Sequence, residues 1–245
     1  GDKCNIKLSS KIMSLDTNFE NGKVVAVTEN GETIKADNVV IACGGWTNNV
    51  LAMANLPTFD LEVWQVQWAH YEVDSDIAAS IPQAFHFRKE SGIDGGLYYV
   101  FPSSATESIQ NNNGKSYVKV GVDFPTGGAL SGMESFNYEG SQEVLNHIDD
   151  WVKEHLPSVG KRIDSYTSPY TMTSDSYFVM DKVADNVAVF SGGSGRAFKF
   201  GPLLGDCMAS LISGETAPVD LAAFSASREA VLSSASEKME QTVVA

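Results

Sequence analysis

The sequence predicts a mixed α/β protein in which one domain interrupts another. Three observations carry this reading. Two short apolar runs, Val39-Val40-Ile41-Ala42 and Val187-Ala188-Val189-Phe190, each lead into glycines, as buried parallel strands do when they end in tight turns. Between them lie longer strand-like stretches rich in Val, Trp and Tyr. From Ser141 the apolar spacing becomes helical. The expected organisation is a first outer segment over residues 1–56, an inserted domain over 57–168, and a second outer segment over 169–245.

Residues 5–13 read as a strand. Asn21-Gly22 is a turn signal, residues 23–29 carry β-branched side chains, and Asn30-Gly31 marks a second turn. Residues 33–38 lead into the first apolar run, and Gly44-Gly45 permits a tight backbone turn. In the middle, residues 62–73, 96–101 and 117–122 read as strands. The polar, Asn-rich stretch 103–114 reads as a long hairpin loop, and 127–139 as irregular. Val144, Leu145, Ile148, Trp151, Val152 and Leu156 recur at three and four, with Pro157 as the stop. Residues 175–181 read as a strand. After the second apolar run Pro202 opens a helix with Leu203, Leu204, Met208, Leu211 and Ile212 on one face and Gly214 as its cap. Residues 225–241 read as a final helix.

The 245 residues are 43% hydrophobic and 20% charged, enough for an ample core. The net charge of −14 repels phosphate backbones and argues against nucleic acid as a partner. No window approaches the roughly 18 consecutive apolar residues of a membrane span. Cys4, Cys43 and Cys207 form no CxxC pair and read as three reduced thiols of a soluble, intracellular protein. Four scattered histidines, none in an HExxH pattern, give no metal site. The chain opens Gly1-Asp2-Lys3-Cys4 without an initiator Met, so a processed, cleaved or partial chain is expected. It ends Val243-Val244-Ala245, which does not support peroxisomal import.

Residues 192–202, GGSGRAFKFGP, carry the strongest local chemistry. The glycines let backbone approach a ligand closely, and the following helix offers unpaired N–H groups and a positive dipole end. Such a turn suits a phosphate, a carboxylate or the electron-rich edge of a flavin ring. It is neither a Walker A loop nor GxGxxG. By composition it is equally a tight structural turn, with Lys199 a surface lysine between two buried phenylalanines.

The order of residues here resembles the sarcosine oxidase branch of the D-amino-acid oxidase superfamily of flavoenzymes. Gly193, Gly195, Arg196, Ala197, Phe198 and Lys199 match that family's glycine turn and phenylalanine-lysine step, so the resemblance implies flavin contact along this turn and a carboxylate anchor at Lys199. Residues 36–51, ADNVVIACGGWTNNVL, resemble a second flavin-side stretch and imply Gly44, Gly45 and Trp46 as contacts. Residues 170–181, YTMTSDSYFVMD, resemble the stretch leading to the strand beneath the flavin. Some members carry a flavin-linking cysteine where Ser168 stands, which implies noncovalent FAD. Phe101-Pro102 and Lys119-Val120-Gly121-Val122-Asp123 resemble substrate-domain strands, with Lys119 at the place of a lysine that promotes reaction with oxygen. Read from the strand alone, Lys119 is equally a lysine on a solvent face. The family often has histidine where Asp123 stands. Tyr98 and Tyr99 are candidates to line the amine pocket or to pack. Residues 218–228 are similar to the family's closing proline, aspartate and arginine signature.

The resemblance implies a glutathione-reductase-type FAD-binding fold, here incomplete, with an inserted antiparallel-sheet substrate domain. It implies oxidation of the C–N bond of a secondary or N-methyl amino acid, with oxygen as acceptor and hydrogen peroxide as product. The implied site residues are Lys119, Lys199 and Tyr99. No GxGxxG turn with a downstream acid is present to hold the ADP half. An N-terminal fragment or partner subunit is therefore expected to complete the fold. The alternative is a noncatalytic, oxidase-derived subunit of a larger assembly.

Overall fold

The computed structural model describes residues 4–88, 96–103, 115–124 and 128–232. In chain order the strands are β1 (Ile12–Phe19), β2 (Lys23–Thr28), β3 (Thr33–Ala36), β4 (Val39–Ile41), β5 (Glu62–Asp74) and β6 (Ala84–Arg88). They continue as β7 (Gly96–Pro102), β8 (Lys115–Val122), β9 (Ala129–Leu130), β10 (Arg162–Met172), β11 (Val179–Ala184) and β12 (Val187–Ser191). The α-helices are α1 (Thr47–Met53), α2 (Ser75–Ala78), α3 (Gln142–His155) and α4 (Gly201–Ser213). The chain divides into two compact units, an outer one of residues 1–62 and 171–245 and an inner one of residues 63–170.

In the outer unit, β1, β2 and β3 form an antiparallel sheet. A second sheet has the order β11-β12-β4, in which β12 pairs with β4 in parallel and with β11 antiparallel. The parallel pair consists of the two apolar runs, aligned as Val187 on Val39, Ala188 on Val40 and Val189 on Ile41. Leu51, Ile41, Val179, Val187 and Val189 build the core between this sheet and α1, and Cys207 and Met208 of α4 pack with Met180 and Ala188. The C-terminal segment is clasped to the unit: Arg228 forks onto Asp175 at 2.7 and 3.2 Å and donates to the Ser225 and Tyr177 carbonyls.

In the inner unit the sheet runs β10-β5-β8-β7-β6, with β9 also on β5. Alternation divides it cleanly. Ala69, Tyr71, Val73, Tyr98, Val100, Val118, Val120 and Val122 face α3, whose Val144, Leu145, Ile148, Trp151 and Val152 cover them. Ser141 caps α3 by accepting from the Val144 amide, and Gln67, buried in the sheet, accepts from the Ser141 amide.

Several expectations shift. The first strand is Ile12–Phe19 rather than 5–13, because Asn21 and Gly22, both at positive φ, close a hairpin whose register places Leu15 and Thr17 inward. Residues 174–175 form a turn, Asp175 accepts from the Tyr177 amide, and the strand begins only at Val179. β10 is unanticipated. It is polar and contains Pro169, which an end strand of a sheet tolerates because one of its edges makes no ladder bonds. β6 also escapes the sequence reading, being short. The final helix does not form over 225–232, where one 3-10 turn, Glu229–Val231, precedes a bridge from Leu232 to Phe59. The rest of that stretch, and residues 104–114 of the hairpin loop, lie outside the described residues. No described helix is long and apolar enough to cross a membrane.

Candidate functional site

The parallel register of β12 on β4 places the exits of both strands side by side. One exit is the Gly44-Gly45-Trp46 turn and the other is Gly192 to Lys199, so two stretches about 150 residues apart in sequence meet at the carboxyl ends of neighbouring parallel strands. The two turns are bonded together. Ser191 donates to Thr47 Oγ1 at 3.1 Å, and Thr47 donates to the Gly44 carbonyl at 2.7 Å. The Ser194 amide donates to the Thr171 carbonyl at 2.9 Å. A side chain at Gly44 would have only Thr171 Oγ1, at 3.6 Å, within contact distance. Gly44, Gly192, Ser194 and Gly195 all have positive φ, so the backbone here is turned in a way few residue types adopt.

Around these turns the side chains stand outward. Phe198 is 100% exposed, and Trp46, Phe200 and Leu203 are also exposed, an unusual cost for a chain with ample core. Phe198 and Phe200 are thus not the buried flanks expected of a surface lysine. Lys199 is exposed, with its ammonium 5.7 Å from the Phe200 ring and in no ion pair among the described residues. Gly193, Arg196 and Ala197 complete the turn, with the Arg196 amide donating to the Gly193 carbonyl at 2.8 Å. Open backbone and exposed flat side chains fit the ring half of a flavin. Nothing in the sequence supplies a GxGxxG turn for the ADP half.

The inner unit carries its chemistry on the sheet face away from α3. Lys119 lies opposite to Val118 and Val120, which are buried under α3. Its ammonium sits 3.9 Å from the Trp68 ring centroid and 5.7 Å from that of Tyr99. Burial lowers its pKa. Tyr99 is buried, and that burial raises its phenol above the ordinary range, reinforced by Tyr170 and the Asp123 carboxylate. Tyr170 is pushed up to about 12 by burial and then by the charge and hydrogen bond of Asp123. Trp68 Nε1 donates to Ser168 Oγ at 3.3 Å.

Two candidates separate here. Tyr99 shares the face of Lys119, whereas Tyr98 is fully buried on the opposite face and stacks on Trp151 at 5.2 Å. Tyr98 therefore packs the core. The sequence reading missed Trp68, His70, Tyr166 and the positional demand of Gly121, where a Cβ would lie 2.4 Å from Tyr99 Oη and 2.6 Å from Trp68 Cβ. The available signal was the period-two spacing of Trp68 and His70. A cleft of about 740 Å³ lies elsewhere in this unit, lined by Tyr71, Asp149, Lys153 and Arg162 among others. Three of its polar groups pair with one another, Tyr71 donating to Asp149 at 2.6 Å and Arg162 forking onto Asp149 at 3.1 and 3.2 Å, and Asp164 also lines it. Among the described residues no cluster of His, Cys, Asp and Glu is suited to a metal.

The family model described as FAD dependent oxidoreductase matches residues 3–211. N-methyl-L-tryptophan oxidase of Yersinia pestis (strain Pestoides F) is 26% identical over 231 residues, covering 92% of this chain and 56% of that protein. Among solved structures, NikD, an unusual amino acid oxidase essential for nikkomycin biosynthesis, superposes with a TM-score of 0.71 at 22% identity, over 87% of this chain and 53% of NikD. Glycine oxidase from Geobacillus kaustophilus superposes with a TM-score of 0.65 at 18% identity, over 90% of this chain and 52% of that one. The chain spans about half the length of the relatives it matches.

Proposed function

Because the chain belongs to the FAD dependent oxidoreductase family, we propose that it forms the flavin-ring and substrate part of an enzyme that oxidises the C–N bond of a secondary or N-methyl amino acid, with oxygen as acceptor. The observation that carries this is the parallel pairing of β12 with β4, which joins the two glycine turns into one open surface. The N-methyl-L-tryptophan oxidase relative supports the substrate class. FAD, when bound, supplies the two-electron acceptor, and the protein's share is position and charge.

In this reading the outer unit is the FAD-binding part and the inner unit the substrate domain. Gly44, Gly45, Trp46, Gly193, Gly195, Arg196, Ala197 and Phe198 hold the ring. Lys199, in no ion pair among the described residues, takes the substrate carboxylate as a charge-assisted hydrogen bond. Tyr99 presents an aromatic wall to the N-alkyl group. Lys119 places a cation where negative charge develops as oxygen is reduced, which lowers that barrier electrostatically. Its partial burial strengthens the interaction, because a cation removed from water is screened less. Ser168 has a hydroxyl where a thioether would be required, so FAD is held noncovalently. The ADP half is held by a segment other than this chain's glycine turns.

The test is spectroscopic and catalytic together. The chain is produced with its natural upstream segment, freed of small molecules and scanned for flavin absorbance, then assayed for peroxide on N-methyl amino acids. Flavin bands with peroxide release are expected. A protein that binds no flavin in that form sinks the oxidase reading and leaves a noncatalytic subunit.

A further inference from the structure

Trp68 is held on three sides. Tyr166 stacks on it with ring centroids 4.4 Å apart and planes at 22°, His70 meets it edge-on at 5.1 Å, and its Nε1 donates to Ser168. One carboxylate ties the first two rings together. His70 Nδ1 lies 2.8 Å from Asp164 Oδ1, and the Tyr166 hydroxyl donates to Asp164 Oδ2 at 3.4 Å. Asp164 Oδ1 is buried and makes no hydrogen bond of regular geometry among the described residues, and the His70 imidazole lies at ion-pair distance from it. His70 is the cross-strand partner of Lys119, and its ring also contacts Tyr117 at 4.3 Å. The Lys119 ammonium rests on the indole that this arrangement fixes.

We infer that His70, Asp164 and Tyr166 are positioning residues that hold Trp68 as a platform for the Lys119 ammonium. Charged groups that strand alternation puts on this face include Asp164 of β10, Glu72 and Asp74 of β5, Lys119 itself and Asp123 at the end of β8. Without the platform Lys119 regains water. Its partial desolvation, and with it the cation's fixed place, is lost. The consequence for catalysis rests on the oxygen role given to Lys119 above; the platform itself does not.

The experiment is site-resolved acylation of lysines across pH on this chain, read by peptide mass, with exposed Lys182 as the internal reference. His70→Gln and Tyr166→Leu should each raise the Lys119 midpoint by about 0.5 in pH and its plateau rate about threefold. Removing any positive charge at His70 shifts the midpoint in the same direction as exposure, so the neutral Tyr166→Leu change isolates the platform. Tyr166→Phe keeps the stacked ring and should restore the native profile. Tyr166 is half exposed, so its replacement spares the core. A Lys119 profile unmoved by Tyr166→Leu overturns the proposal. In the flavin-loaded protein the same variants should slow flavin reoxidation by oxygen without slowing its reduction by substrate. If acylation shifts and reoxidation does not, the platform stands and the oxygen role of Lys119 falls.

Discussion

Gly121 makes the most exposed commitment of this structure. It pairs with Trp68 on one side and Tyr99 on the other, in the middle of the face that carries Lys119. In Gly121→Ala the new methyl would stand 2.4 Å from Tyr99 Oη, 2.5 Å from its Cζ and 2.6 Å from Trp68 Cβ. The tyrosine ring can swing, but Trp68 Cβ is one bond from the β5 backbone and cannot move without the strand. Overpacking of this kind costs about 1–3 kcal/mol, and the rigidity of Trp68 puts the expectation at about 2–3. Urea unfolding measures it directly, as a lowered midpoint at unchanged slope. A double-mutant cycle with Tyr99→Ala should show a sub-additive cost, because half the clash is removed, though the Trp68 contact keeps it above zero. The acylation profile of Lys119 should shift as well, since the Tyr99 ring near its ammonium is displaced. Unfolding within about 0.5 kcal/mol of the parent would refute the packing argument, since surface changes fall in that range.

The remaining expectations concern charge and binding. Arg228 holds the Asp175 carboxyl at about 2, below the ordinary carboxylate value, chiefly through its hydrogen bond. A depressed folded pKa contributes stability that is present above the unfolded value and lost as pH falls through the folded one. Parent and Arg228→Met should thus differ by about 1–2 kcal/mol at neutral pH and converge between about pH 4 and pH 2 in thermal melts; a constant gap would count against the linkage. Asp149→Leu leaves the Tyr71 hydroxyl and the Arg162 guanidinium unmatched and should cost about 3 kcal/mol in urea unfolding. In the flavin-loaded protein, Lys199→Met should raise the dissociation constant for an amino-acid substrate about tenfold or more by titration, and unchanged affinity would remove Lys199 from the carboxylate role. Acid precipitation should release all flavin into the supernatant, because Ser168 offers no thioether; flavin retained in the pellet would contradict noncovalent binding.

Much was legible in the sequence because its signals are local. The runs 39–42 and 187–190 read as buried strands from their apolar continuity, and the glycines after them mark turns whatever surrounds them. The three-and-four spacing from Ser141 and the stop at Pro157 delimit α3 to within two residues. The orientation of Lys119 away from Val118 and Val120 follows from strand alternation alone. The change of strand style put segment edges at 56/57 and 168/169, and the two compact units of the structure divide at 62/63 and 170/171.

The mixed α/β class was thus a property of periodicity and composition. Tertiary structure decided what periodicity cannot reach. It joined the Gly44 turn to the Gly192 turn, because only the parallel register of β4 and β12 brings such distant residues together. It made a strand of residues 162–172, whose polar side chains and Pro169 are acceptable only at the end of a sheet. It sent Tyr98 into the core and left Tyr99 beside Lys119, a choice between adjacent tyrosines that α3 settles by covering one face. It also put Trp68, His70, Tyr166 and Asp164 around that lysine from two neighbouring strands. Cross-strand contact is set by register, and register is a property of the assembled sheet rather than of any one stretch of chain.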